Sequence, residues 1–122
     1  MALCLIGAGE TVRIAVTVFS LSWIHTVEKI PWQETWLVEP DALVLAQARI
    51  KGSGAGMEPP DDAKLIDGWY VWAPASPRRS EVVLRNRAGI DDWRLCAENI
   101  ACLPVHEILG RQTDRITLKA CP

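Results

Sequence analysis

The sequence has no excess of basic residues and no long uncharged apolar run. Its 122 residues contain 13 lysines and arginines against 15 aspartates and glutamates, which gives a formal charge of −2. Nucleic-acid-binding domains usually carry a basic surface, so this balance argues against a nucleic-acid partner. A membrane-spanning helix needs about 18 consecutive apolar residues, and no stretch reaches that length without a charge. We therefore expect neither nucleic-acid binding nor membrane insertion of this chain.

A legible export signal is also missing. The first residues are apolar, but no basic region precedes them, and Glu10 and Arg13 interrupt the run before a signal core is complete. The default expectation is a cytoplasmic protein. A periplasmic or other extracytoplasmic location is the alternative.

The sequence has four cysteines, and their number alone does not determine how they pair. Cys4, Cys96, Cys102 and Cys121 allow two disulfides in three alternative combinations, or four buried thiols. Five residues separate Cys96 from Cys102, which is enough for a hairpin loop, so we predict that these two sulfurs face each other. The spacing is not the C-x2-C of a structural zinc site, and we predict no metal.

Helical periodicity is scarce, whereas alternation of apolar and polar residues recurs in short runs bounded by Gly, Pro, Asn and Asp. This pattern predicts a single all-β domain over residues 1–122, either an antiparallel β-sandwich or a half-open barrel of about nine short strands. The predicted strands are 2–6, 11–16, 18–27, 32–39, 42–50, 69–73, 81–86, 92–96 and 115–119. Residues 52–68 and 73–80 are expected to be irregular connections, and residues 105–109 one turn of helix before Gly110.

The stretch WIHTVEKIPWQETW, residues 23–36, places ionisable groups among tryptophans. Side chains alternate along a strand, so His25 shares a face with Trp23, and Glu34 shares a face with Trp32 and Trp36. A hairpin register that turns both apolar faces to one side can pair His25 with Glu34 and Trp23 with Trp36. A buried carboxylate needs a partner, and this register supplies one.

Extending the same alternation to residues 42–50 pairs Glu34 with Gln47 and Trp32 with Arg49. One end of the face is then apolar, and the other end carries the polar cluster of His25, Glu34, Gln47 and Arg49. Convergent polar groups in an aromatic wall are typical of a small-molecule site, although a satisfied structural network would need the same clustering.

A glycine-rich segment, KGSGAGMEPP at residues 51–60, follows the last of these strands. Its backbone amides could face an anion near Arg49 and Lys51. The segment matches neither a dinucleotide nor a P-loop fingerprint, and Ser53 does not lie in a nucleophile elbow. We predict no cofactor and assign no catalytic residue.

These residues resemble a known family. The segments SWIHTVEK, with Pro31 and Glu34 after it, and KGSGAGM together are similar to the bacterial "domain of unknown function 1850" family, with Thr26 where serine is expected. The resemblance implies a small uncharacterised domain, often encoded beside tripartite ATP-independent periplasmic (TRAP) transporters of the TAXI type. It implies that His25, Glu28, Glu34 and the loop from Gly52 to Met57 are the family-like positions.

From these observations we predict a non-enzymatic accessory or small-ligand-binding domain, linked to TRAP-type solute uptake, with a small anionic ligand or a transporter component as partner. Two alternatives stay open: a hydrolase-like enzyme that uses a His25/Glu34 dyad, and a structural protein-interaction domain with an exposed aromatic patch at Trp69 and Trp72. The predicted ligand-binding residues are His25, Glu28, Glu34, Gln47, Arg49, Gly52, Ser53, Gly54 and Gly56.

Overall fold

The computed structural model has two antiparallel β-sheets that share one apolar core. It describes residues 1–24, 30–52, 59–75, 77–88 and 90–122. The described residues form twelve strands and one helix: β1 (Ala2–Gly7), β2 (Glu10–Ile14), β3 (Val18–Ile24), β4 (Pro31–Val38), β5 (Leu43–Lys51), β6 (Lys64–Ile66), β7 (Trp69–Trp72), β8 (Arg78–Arg79), β9 (Glu81–Arg85), β10 (Arg94–Ala97), β11 (Ile100–Pro104), α1 (Val105–Leu109) and β12 (Arg115–Cys121). The predicted all-β class is confirmed, and the architecture is that of a sandwich.

The smaller sheet brings the two ends of the chain together. Its four strands lie in the order β2-β1-β12-β9, so β1 at the N-terminal end pairs with β12 at the C-terminal end. A disulfide joins Cys4 to Cys121, with their α-carbons 6.0 Å apart. We call this bond the terminal disulfide.

The larger sheet carries the predicted site. Its strands lie in the order β11-β10-β3-β4-β5-β7-β6, and β8 pairs with the beginning of β5. A second disulfide, here the hairpin disulfide, joins Cys96 of β10 to Cys102 of β11, with α-carbons 4.1 Å apart. The prediction that these two cysteines face each other is therefore confirmed.

The core forms where alternate residues of the two sheets point toward each other. From the small sheet it takes Leu3, Leu5, Ile14, Leu84, Ile116 and Leu118, and from the large sheet Phe19, Leu21, Trp36, Val38, Leu43 and Leu95. The face of each sheet that packs on this core is its inner face, and the opposite face is its outer face. Burying these side chains is the main source of stability, at about 1.5–3 kcal/mol for each large one.

The nine predicted strands all exist, with ends that differ by a few residues, and three further strands were not predicted. β6 and β8 have two or three exposed residues each, and β11 is mostly exposed, so none of them carries an alternating pattern. The segments 52–68 and 73–80 are therefore less irregular than predicted. The predicted helical turn is α1, which buries Val105 and Leu109 and ends at Gly110, whose φ of 85° suits glycine.

Among the described residues, none forms a helix with the length and apolarity that crossing a membrane requires. The helix α1 has five residues.

Candidate functional site

The register of the β3–β4 hairpin differs from the prediction. Glu34 lies opposite Leu21, and Trp23 lies opposite Trp32, so the predicted pairing of His25 with Glu34 and of Trp23 with Trp36 is wrong. In both the predicted and the observed register the numbers of two paired residues add up to an odd value. Registers with this parity turn the same side chains inward. Hydrophobic alternation therefore predicted the faces correctly but could not choose between the two registers. In the observed register Phe19 lies opposite Trp36, and their rings stack with centroids 6.4 Å apart.

The carboxylate of Glu34 is held by the two tryptophans on either side of it in the strand. The indole N–H of Trp32 donates to Oε2 and that of Trp36 donates to Oε1, each at 3.0 Å. Residues at i−2 and i+2 share a face with residue i in a strand, so the pattern W-x-E-x-W places both donors beside the acid. Trp36 is only 3% exposed, so its N–H depends on an acceptor within the protein. Glu34 thus supplies the acceptor that both indole groups need.

A β-bulge in β5 separates Glu34 from Gln47 and Arg49. Trp36 lies opposite Leu45, but Thr35 lies opposite Gln47, so β5 has one extra residue, Ala46, at this point. Before the bulge the odd-numbered residues of β5 face inward, and after it the even-numbered residues do. The predicted pairs of Glu34 with Gln47 and of Trp32 with Arg49 are therefore wrong.

The bulge follows from the apolar pattern of β5. Leu43 and Leu45 belong to the inner face before the bulge, and Ala48 and Ile50, both buried, belong to it after the bulge. The apolar residues of β5 thus change from odd to even positions between Leu45 and Ala48. This change is visible in the sequence and is the signal that predicts a bulge. As a consequence, Gln47 and Arg49 lie on the outer face and Glu34 on the inner face.

Half-buried aromatic residues occupy the inner face beyond the core. The rings of Trp23 and Trp93 stack with centroids 5.9 Å apart, and those of Trp32 and Trp72 meet edge to face at 5.6 Å. These two pairs extend the apolar surface around Glu34. The half-buried state of Trp69 and Trp72 does not match the exposed patch expected of an interaction domain.

On the outer face, Arg49 is fixed by two neighbours. Its Nε donates to Oε1 of Gln33 at 2.8 Å, and Nη2 donates to the same oxygen. Its guanidinium carbon lies 4.2 Å from the ring centroid of Trp69, and the ammonium of Lys51 lies 5.9 Å from that ring. Gln33 lies opposite Arg49 across the strands, and Trp69 lies opposite Lys51. We call these four residues, Gln33, Arg49, Lys51 and Trp69, the Arg49 cluster.

The charge of Arg49 is not balanced by a carboxylate among the described residues. Three other arginines do contact carboxylates: Arg78 pairs with Glu39 and Asp41, Arg87 with Asp91, and Arg111 with Glu10. Gln33 is a neutral acceptor, and its Oε1 accepts the hydrogen bonds from Nε and Nη2 along one edge of the guanidinium. The edge formed by Nη1 and Nη2, which matches a carboxylate in a two-point interaction, has no acidic partner in the described part of the chain.

Several predicted site residues lie outside the described residues. These are His25, Glu28, Ser53, Gly54 and Gly56. The predicted approach of the glycine loop to His25 therefore stays a prediction. Gly52 is described and directly follows Lys51, and the ends of β3 and β5 and the beginning of β4 lie at the same end of the sheet.

Sequence reasoning links Lys51 with Arg49 but misses two members of the Arg49 cluster, Gln33 and Trp69. Alternation without the bulge assigns Arg49 to the inner face, so it does not connect Arg49 with Gln33 or Trp69 on the outer face. No group of His, Cys, Asp and Glu side chains within the described ranges has an arrangement that could hold a metal ion.

Comparison with known proteins identifies a family and little more. No curated protein matches the chain, and no solved structure matches it. A family model described as "Domain of unknown function (DUF1850)" matches residues 19–103, which is more than half of the chain and extends from the second residue of β3 into β11. The family-like segments noted in the sequence lie inside this match, and the chain belongs to the DUF1850 family.

Proposed function

We propose that this domain binds a small anionic molecule, without transforming it, at the Arg49 cluster on the outer face of the large sheet. The observation that carries the proposal is the state of Arg49: a half-buried guanidinium, oriented by Gln33 and Trp69, with no acidic partner among the described residues. Orienting an arginine in advance reduces the entropy that is lost when a ligand binds. A carboxylate or phosphate is the ligand whose geometry fits the guanidinium edge.

The surroundings of Arg49 favour an anion. The ammonium of Lys51 adds a second positive charge on the same face. Gln47 is exposed on this face two residues before Arg49, and Thr35 lies opposite Gln47, so an amide and a hydroxyl lie within reach of a small ligand. Strand pairing also puts Lys64 and Arg94 in the same row of the sheet as Arg49, so the face offers several cations and several neutral hydrogen-bonding groups.

The wider setting is also part of the proposal. An accessory role beside TRAP-type solute uptake is what the resemblance implies, and a small bound anion is compatible with such a role. We place the domain in an extracytoplasmic compartment and not in the cytoplasm, because its two disulfides persist in oxidising surroundings and are rare in cytosolic proteins.

The hydrolase alternative has no specific observation in its favour. A His25/Glu34 dyad needs a Glu34 oxygen that can orient the histidine. Both oxygens of Glu34 accept an indole N–H, and Glu34 lies on the face opposite to Arg49.

The test is anion binding measured by isothermal titration calorimetry, with acetate and inorganic phosphate as probes. Arg49→Gln should weaken binding by about 10- to 100-fold, since a hydrogen bond to a charged group contributes about 1.5–3 kcal/mol. Arg115→Gln is the matched control, because Arg115 is exposed on the small sheet and its loss changes the net charge equally. Arg49→Lys should bind more weakly than the wild type, because a lysine keeps the charge but lacks the planar fork.

A second variant, Gln33→Glu, tests the same idea without removing the arginine. It places a carboxylate beside the guanidinium and should suppress anion binding while the fold is retained. Binding that is unaffected by both Arg49→Gln and Gln33→Glu, or a wild-type protein that binds neither probe, contradicts the proposal.

A further inference from the structure

A cleft with a volume of about 710 Å³ lies next to the outer face of the large sheet. This volume is within the range of small-molecule sites, and a carboxylate or phosphate group alone would fill only a small part of it. The cleft is lined by the first residue of the chain and by residues of the β2–β3 connection, β3, β4, β10 and the β10–β11 turn: Met1, Ala15, Val16, Thr17, Val18, Phe19, Ser20, Thr35, Cys96, Ala97, Glu98 and Asn99.

Strand pairing connects the cleft to the Arg49 cluster. Cys96, Ser20, Thr35 and Gln47 lie opposite one another in a row across β10, β3, β4 and β5. The adjacent row, two residues along each strand, contains Gln33 and Arg49. Two residues of a strand span about 7 Å and return to the same face. The cleft and the Arg49 cluster are therefore neighbouring parts of one surface.

The lining is mostly apolar. Met1, Ala15 and Val18 are the exposed apolar residues of the lining, and Ser20 and Thr35 lie on the side toward Gln33 and Arg49. An apolar body transferred from water into such a cleft gains free energy in proportion to the area that it buries. The opposite side of the cleft carries Glu98, an exposed acidic residue, which disfavours a second negative charge on the ligand.

From this arrangement we infer that the ligand is a monocarboxylate with an apolar body, whose carboxylate binds Arg49 and whose hydrocarbon part lies in the cleft. The inference rests on the proposed function, because the carboxylate is held by the Arg49 cluster. It goes further by specifying one charged end, one apolar end and their relative placement. A dicarboxylate of the same length should bind more weakly, since its second carboxylate would approach Glu98.

The test is a calorimetric titration with straight-chain monocarboxylates from acetate to octanoate. Affinity should rise by about fourfold for each added methylene until the cleft is filled. Ser20→Phe adds a ring to the cleft and should abolish this rise while acetate binding remains. Ser80→Phe, at an exposed residue between β8 and β9, is the matched control and should keep the rise.

Failure of this inference and failure of the proposed function give different results. If acetate binds through Arg49 but affinity does not increase with chain length, the inference is overturned and the anion site stands. If affinity increases with chain length and Arg49→Gln has no effect on it, the carboxylate does not bind Arg49, and both ideas fail.

A measurement on the wild-type protein covers the case in which Ser20→Phe does not fold. Octanoate should shift the methyl NMR signals of Ala15 and Val18, two exposed residues that line the cleft, whereas acetate at equal saturation should not. Equal shifts with both ligands, or none with octanoate, overturn the inference.

Discussion

Replacing Glu34 by glutamine tests the hydrogen-bonding role that the structure gives this residue. Each carboxylate oxygen accepts one indole N–H at 3.0 Å. A glutamine side chain has one oxygen, and its NH₂ group is a donor, so one indole must lose its acceptor. A hydrogen bond to a charged acceptor contributes about 1.5–3 kcal/mol, and a buried donor without a partner costs about 1–3 kcal/mol. We expect the oxygen of glutamine to turn to Trp36, which is 3% exposed, and to leave the half-buried Trp32 to water.

The expected loss in the free energy of unfolding is therefore about 1–3 kcal/mol. For a domain of this size each kcal/mol corresponds to about 3–5 °C in Tm. Urea unfolding followed by tryptophan fluorescence, with the disulfides intact, measures the loss directly. Glu81→Gln, at an exposed residue of β9, is the control and should change stability by less than about 0.5 kcal/mol.

A double-mutant cycle separates the hydrogen bond from other effects of the substitution. Trp32→Phe keeps an aromatic ring but removes one of the two donors. In that background Glu34→Gln should cost less than in the wild type, because the single oxygen of glutamine then satisfies the one remaining indole. An unchanged or increased stability of the Glu34→Gln protein would refute the reasoning, and equal costs in both backgrounds would show that Trp32 and Glu34 are not coupled.

Two further predictions concern stability. The cysteines of the terminal disulfide are 117 residues apart in the sequence, and those of the hairpin disulfide are 6 apart. When each cysteine pair is replaced by serine, the chain-entropy relation predicts losses of about 5 and about 2 kcal/mol in the free energy of unfolding, which urea unfolding measures. Equal losses would contradict a loop-entropy origin. The hydrogen bond from Arg87 holds the pKa of Asp91 below its usual value, in spite of the opposing effect of burial. Because the folded-state pKa is depressed, the stabilisation is fully present above the unfolded-state pKa of about 3.9 and is lost as the pH falls through the lower folded-state value. Asp91→Asn should therefore lower stability more at pH 7 than at pH 2, and a loss of equal size at both pH values would exclude the ion pair as its source.

Local sequence patterns were sufficient to predict the strands that have one buried face. Apolar and polar residues alternate in β3 and β4, and the buried residues of these strands follow that alternation. The short helix was predictable because its turn precedes a glycine. The strands β6 and β8 could not be predicted in this way, because their exposed residues are in sheets only through pairing with β7 and β5.

In the candidate site, too, some features follow from local sequence patterns and others depend on the fold. The sequence predicted correctly that Glu34 faces inward, because this conclusion needs only local alternation. The role of Arg49 in ligand binding stays a prediction, and alternation assigned it to the wrong face because of the bulge in β5. The residues that contact Glu34 and Arg49 became known only from the three-dimensional structure. Glu34 is satisfied by Trp32 and Trp36 on its own strand, whereas Arg49 is oriented by Gln33 and Trp69 from two other strands.

By itself, the sequence determined that this chain forms β-strands with one apolar face, because alternation along a strand is a local property of the backbone. It also determined the parity of the β3–β4 pairing, since the wrong parity would expose an apolar face. The tertiary structure decided which register of that parity forms, where the bulge at Ala46 lies and which cysteines pair. These features depend on contacts between distant residues, such as the stacking of Phe19 on Trp36 and the burial of Ile50. Several registers satisfy the local pattern equally well, and only packing across the sheets distinguishes them.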